Sequence, residues 1–264
     1  MKPITTMILL CLTLATAAQE YENNPRILSI YHGLDPLPPG ATRLCGLPPA
    51  ANQDGMPVVF SVQVDGDSIS ASAFAVETSS GEIVTPLCAT LRPAQEPLEQ
   101  RTVLLIGEFS TAGSLPVSVE IVGMLEDVDG NSLVGLTGKK VTALESGPSL
   151  IYAERFSPSV PGLAGECPDQ TEQAVQLTWQ GGVTGPKGAD LAEAQRTAVS
   201  ILLEDGRSVH PLALGDDDPD NHIIACISES NSAISVSVAA GFFHDPGNDA
   251  NPATTIAVIS KMNE

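Results

Sequence analysis

The chain repeats itself, and this restricts its fold more than any other feature. Residues 74–87, FAVETSSGEIVTPL, align with residues 199–212, VSILLEDGRSVHPL. Both read as an apolar strand, a glycine turn and then x-x-Val-x-Pro-Leu. Upstream, Cys45 precedes the alternating run 57–64, and Cys167 precedes 174–179. Downstream, a Val-Ser-Val at 117–119 leads to Asp127, Asp129 and Asn131, and a second at 236–238 leads to His244, Asp245, Asn248, Asp249 and Asn251. Four anchors in preserved order describe a tandem duplication.

Within each half the pattern is that of strands. Short runs rich in Val, Ile, Leu and Thr alternate with polar residues, and Gly, Pro, Asp and Asn clusters separate them. The expected strands are 57–64, 71–78, 82–87, 102–109, 116–123 and 149–154, then 174–180, 197–204, 207–212, 222–228, 233–239 and 254–260. Only 189–196 reads as a short helix. Many short strands with Gly/Pro turns predict an all-β chain of two tandem immunoglobulin-like β-sandwich modules. The expected division is a lead-in segment at 19–40, a first module at 41–156, a Pro/Gly-rich linker at 157–166 and a second module at 167–264.

Residues 1–18 read as a secretory signal peptide. Lys2 supplies the positive end, 7–14 an apolar core too short to stay in a bilayer, and 15–18 small residues before a cleavage point near Gln19. Four cysteines follow it: Cys45, Cys88, Cys167 and Cys226. An even number in an exported chain predicts two disulfides. Three pairings are open, and the repeat favours Cys45–Cys88 and Cys167–Cys226. The second cysteines break the repeat, because Cys88 lies just past Pro-Leu while Cys226 sits a strand later. No C-x-x-C spacing supports zinc bound by cysteine.

The chain is strongly acidic, with a formal net charge of −20. Loss of residues 1–18 removes Lys2 and leaves 11 basic against 32 acidic side chains. Such an imbalance repels phosphate backbones and anionic lipid, which argues against nucleic-acid partners and against membrane insertion. It suits a cation, or a protein or small-molecule partner of opposite charge, in a secreted or periplasmic setting.

Three acidic loops are the candidate metal sites. They are Asp127, Asp129 and Asn131; Asp216, Asp217, Asp218, Asp220 and Asn221; and Asp245, Asn248, Asp249 and Asn251 with His244 at the edge. Closely spaced carboxylate and amide oxygens are what Ca²⁺ takes from flexible loops. The same residues also build ordinary β-turns. No EF-hand is present, since counting from Asp127 places the glycine fourth and Gly138 twelfth. The histidines, His32, His210, His222 and His244, show no local ligand spacing and read as isolated surface residues. No nucleophile elbow or phosphate-cradling loop occurs. Trp179 is expected in the core of the second module. Arg101 and Glu108 flank an apolar run, either capping its ends or facing a cleft.

Two readings of function follow. One is an exported non-catalytic binding or structural protein, with calcium as its expected ion, acting on a protein or cell-surface partner. The other is a metal-dependent lyase or hydrolase with its site between the modules or in the second module's loops, because metal-assisted chemistry needs only a few scattered ligands.

Overall fold

In the computed structural model the described residues are 24–260, except 112, 144, 161, 164 and 216–219. The expected signal peptide and Asp216, Asp217 and Asp218 therefore lie outside them. The chain is all-β, with four sheets among the described residues.

The first half contains β1 (Ile27–Tyr31), β2 (Asp54–Phe60), β3 (Phe74–Thr78), β4 (Ile83–Val84), β5 (Cys88–Thr90), β6 (Thr102–Gly107), β7 (Pro116–Ile121), β8 (Thr137–Gly138) and β9 (Val141–Thr142). One sheet has the order β5-β6-β2-β1-β9 and its companion β4-β3-β7-β8. The second half contains β10 (Leu150–Phe156), β11 (Gln173–Trp179), the short helix α1 (Glu193–Ala198), β12 (Val199–Leu203), β13 (Ser208–Val209), β14 (Ala213–Gly215), β15 (His222–Ile227), β16 (Ala233–Val238) and β17 (Thr254–Ala257). Its sheets run β14-β15-β11-β10 and β13-β12-β16-β17.

Strand by strand the halves share one connectivity: β10 occupies the place of β1, β11 that of β2, and so on to β17 and β8. β9 pairs parallel with β1, and in the second half Ile259 makes the matching parallel bridge to Glu154 on β10. The repeated strand order runs in parallel with the repeated sequence anchors. It also shows where the strands fall against the expected segments. β1 lies in the stretch read as a lead-in, and β10 pairs with β11 across the Pro/Gly-rich stretch. The helix begins at Glu193, three residues before the end of the expected span.

Each half buries an apolar core between its two sheets. Met56, Val58, Phe60, Val103 and Leu105 face Phe74, Val76, Val119 and Ile121 in one. In the other, Val175, Leu177, Trp179, Ile223 and Ala225 face Val199, Ile201, Val236 and Val238. Trp179 is fully buried, its ring 4.7 Å from that of Phe243.

The disulfides pair Cys45 with Cys88 and Cys167 with Cys226. The irregularity in the repeat has a geometric origin. Cys88 on β5 lies opposite Ile106 on β6, and Cys226 on β15 lies opposite Ala213 on β14. The half-cystine has stepped across one rung of the same ladder.

One pair of sheets departs from simple alternation. β2, β6, β11 and β15 are buried along their whole length. The outward residues Leu104 and Ile106 of β6 lie under the first half's own loop residues Leu34, Leu37, Leu44 and Leu47, while the stretches around Arg101 and Asn221 meet the other half in a seam that carries polar contacts. The Arg101 guanidinium, fully buried, lies 2.8 Å from Glu154 and 4.2 Å from the centre of the Tyr152 ring. Asn221 donates to the Thr102 hydroxyl at 2.9 Å, and Gln180 donates to Ser29 and Thr142. Arg101 thus neither caps a strand nor faces an open cleft; Glu108 accepts a hydrogen bond from Gln53.

Tyr31 crosses the seam as well. Its hydroxyl donates to the backbone oxygen of Ser146 and to Asp245, each at 2.7 Å. A Cβ on Gly181 would stand 2.5 Å from the ring, so glycine there is what admits it. Burial and the Asp245 carboxylate push the Tyr31 phenol well above its ordinary range.

Candidate functional site

Where the two halves meet, the seam opens into a cleft of about 680 Å³. The loop after β1, carrying Leu34, Pro36 and Leu37, forms an apolar wall with Pro57 and Leu104. Asp35, Glu145, Asp220 and Asp249 add carboxylates from both halves, and Arg92 adds one cation.

The sequence-flagged residues separate into those that reach this cleft and those that do not. Asp220, Asn221 and Asp249 line it. Asp220 accepts from the amide of His222 at 2.6 Å, and Asn221 also donates to the Trp179 carbonyl. Asp245 lies just behind, taken up by Tyr31 and by the amide of Asp249. Asn248 accepts from the amide of Lys187. Asn251 is buried and takes three amides, those of Gly241, Phe242 and Phe243, on its side-chain oxygen. His244 is half-buried, its backbone pairing with Thr184.

Asp127, Asp129 and Asn131 are not brought to the cleft. Asp127 is buried and accepts from the amides of Asp129 and Asn131 and from the Asn131 side chain. The loop at Asp245 has the same turn. In both, the amide four residues on reaches the aspartate at 2.8 Å, and a left-handed residue, Gly130 or Asn248, precedes it. Hydrogen bonds of this kind are how aspartate fixes a turn.

The histidines depart from expectation. His210 is exposed, but His32 and His222 are buried. His222 lies in the seam between Thr102 and Thr178. Burial, with the nearby Arg101 charge, pushes its pKa down to about 3, so the ring is neutral.

At the edge of the cleft stands a group that no local spacing announces. His32, Asp35 and Asp54 each offer a ligand atom, all within 4.8 Å of one another. A bridge between Leu34 and Gly55 sets the loop beside the start of β2, with the Gly55 amide bonded to the Leu34 carbonyl at 2.7 Å. Asp54 is buried, and one of its oxygens accepts from the amides of Phe109 and Ser110 and from the Ser110 hydroxyl. Burial raises the Asp54 carboxyl, but His32 and these donors outweigh it and hold it below the ordinary range. Asp35 goes the other way, raised by burial and by the Asp54 charge beside it. Two carboxyls whose surroundings drive them apart can share a proton or a cation.

No family model matches the chain, and no curated protein matches its sequence. Among solved structures it has slight similarity to surface-layer proteins. Against the crystal structure of the S-layer protein rSbsC(31-844), it aligns over 97% of its length and 44% of that chain, at 11% identity and a TM-score of 0.32. The N-terminal part of the bacterial S-layer protein SbsC gives 94% and 47%, at 13% identity and 0.30. A Dscam structure concerned with isoform specificity gives 90% and 50%, at 7% identity and 0.26. The chain thus spans less than half of either S-layer chain.

The two disulfides fit an oxidising compartment. Among the described residues no helix is long and apolar enough to cross a membrane.

Proposed function

We propose that this is an exported, non-catalytic binding protein whose ligand occupies the cleft between its halves. The observation that carries the reading is the cleft's makeup, an apolar wall from the first half beneath carboxylates from both. Ligand sites combine largely apolar linings with a few placed polar groups. Here the polar groups are mostly anionic, so the ligand is an apolar molecule or peptide side chain carrying a positive charge.

An environment-sensitive apolar dye with a quaternary ammonium head tests this against its sulfonate twin. The cationic dye should bind at least about tenfold more tightly, with the preference falling as salt rises. Pro246→Trp, at the exposed rim, should block it, and Glu145→Gln with Asp249→Asn should weaken it. Equal binding of the two dyes, or full binding to Pro246→Trp, overturns the reading. Calcium binding by the acidic loops is a separate proposal, tested by comparing the melt in Ca²⁺ with that in NaCl of equal ionic strength.

A further inference from the structure

We propose that His32, Asp35 and Asp54 hold a divalent transition-metal ion, zinc foremost, at the edge of the cleft. The proposal goes beyond the cleft reading and does not depend on it.

The donor set points to a metal of borderline softness. Calcium takes six to eight oxygens, whereas zinc accepts imidazole nitrogen and carboxylate oxygen in a four-coordinate shell. Three protein ligands with one position left for solvent or ligand is the pattern of open zinc sites. Around a tetrahedral zinc, neighbouring ligand atoms stand roughly 3.3 Å apart, from bonds of about 2.0–2.1 Å. The three donors here are spread within 4.8 Å, and His32 Nε2 lies 3.7 Å from the Asp54 carboxylate. That separation is too long for a hydrogen bond and suits two ligands of one ion.

The buried imidazole supplies a second, independent observation. His32 is 3% exposed and its Nε2 has no hydrogen-bond partner. Buried polar atoms are almost always bonded, so a buried nitrogen aimed at two carboxylates calls for something between them. A divalent ion would satisfy the nitrogen and neutralise the adjacent carboxylates together.

The surroundings also hold the ligands in place. Two amides and a hydroxyl fix Asp54, and the same Ser110 hydroxyl reaches Asp35 at 3.4 Å. Such outer contacts orient metal ligands and raise affinity. Asp35 is exposed and lines the cleft, which leaves the ion reachable from solvent.

The test is a titration of the chelator-stripped full chain with Zn²⁺ against a competing chromogenic chelator, followed by replacement with Co²⁺. One ion should bind per chain, with a visible Co²⁺ spectrum of mixed nitrogen and oxygen ligation, and millimolar Ca²⁺ should not displace it. Asp35→Asn, at an exposed position, and His32→Gln should each weaken Zn²⁺ by at least about tenfold. Circular dichroism and Trp179 fluorescence check that the variants fold. Pro246→Trp, which blocks the dye, should leave Zn²⁺ affinity unchanged, so failure of one proposal is separable from failure of the other. Absence of one-to-one binding, or unchanged affinity in folded Asp35→Asn, overturns the assignment.

Discussion

Replacing Arg101 by methionine should unlock the seam between the halves. The guanidinium is fully buried, 2.8 Å from Glu154, which is itself 1% exposed, with the Tyr152 hydroxyl donating to the same oxygen at 3.1 Å. Removing the cation leaves a carboxylate in the interior without its counter-charge. Breaking a buried pair in this way costs about 3–5 kcal/mol, whereas replacing both partners by apolar residues is often neutral. The stacking of Arg101 on Tyr152, worth up to about 2 kcal/mol when desolvated, is lost in addition. Arg101→Met and Glu154→Leu should therefore each destabilise by about 3–5 kcal/mol, and the double variant should recover most of it. Urea melts followed by circular dichroism and by Trp179 fluorescence measure this, the single tryptophan reporting on the core of the second half. The singles should together exceed the double by at least about 3 kcal/mol. Additive effects, or single losses below about 1 kcal/mol, would refute the claim that this pair holds the seam.

Other expectations can be checked in parallel. His222 has a folded pKa near 3 against an ordinary 6.5, so the unfolded chain takes up its proton first as pH falls. Its contribution is complete above pH 6.5 and drains away towards pH 3, by at most roughly 4–5 kcal/mol. His222→Gln should flatten that part of the stability profile, and a parallel profile would sink the assignment. Each disulfide closes a loop, of 43 and 59 residues, so Cys88→Ser or Cys226→Ser should cost about 4 kcal/mol in chain entropy. Thiol titration of the denatured, unreduced chain lacking residues 1–18 should find no reactive cysteine. Asp127→Ala removes the buried carboxylate that accepts from two turn amides and should cost about 1–3 kcal/mol, in EDTA and in excess Ca²⁺ alike. A wild-type melt raised by Ca²⁺ and not by matched NaCl would instead mark an ion at these loops.

Sequence patterning reached the fold well and the site poorly, for physical reasons. The pairing of strands with glycine turns at Gly81 and Gly206 is local, so period-two runs and turn residues located β3, β4, β12 and β13. β5, β8, β9 and β14 are two or three residues long, too short to show a period. Trp179 could be placed in the core from its size and neighbours alone. His222 could not, because a histidine at the start of a strand gives no sign that its other face will meet a second module. The group of His32, Asp35 and Asp54 was hidden for a similar reason. Asp54 lies nineteen residues past Asp35 and is brought beside it by the pairing of Leu34 with Gly55. Asp220, Asn221 and Asp249 were legible as acidic loop residues, while their meeting with Asp35 depends on how the halves dock.

The polar seam has a consequence for how such a molecule is assembled. Apolar surfaces adhere in many orientations, since burial rewards area and is indifferent to direction. A buried Arg101 accepts one answer: Glu154 within reach and Tyr152 under its plane. A shift of the halves by a single residue would strand the guanidinium, the Thr102–Asn221 bond and Tyr31 together. The seam thus works as a key cut for a single lock. It selects one docking from many, and with it the one alignment of loops in which the cleft and its acidic rim exist.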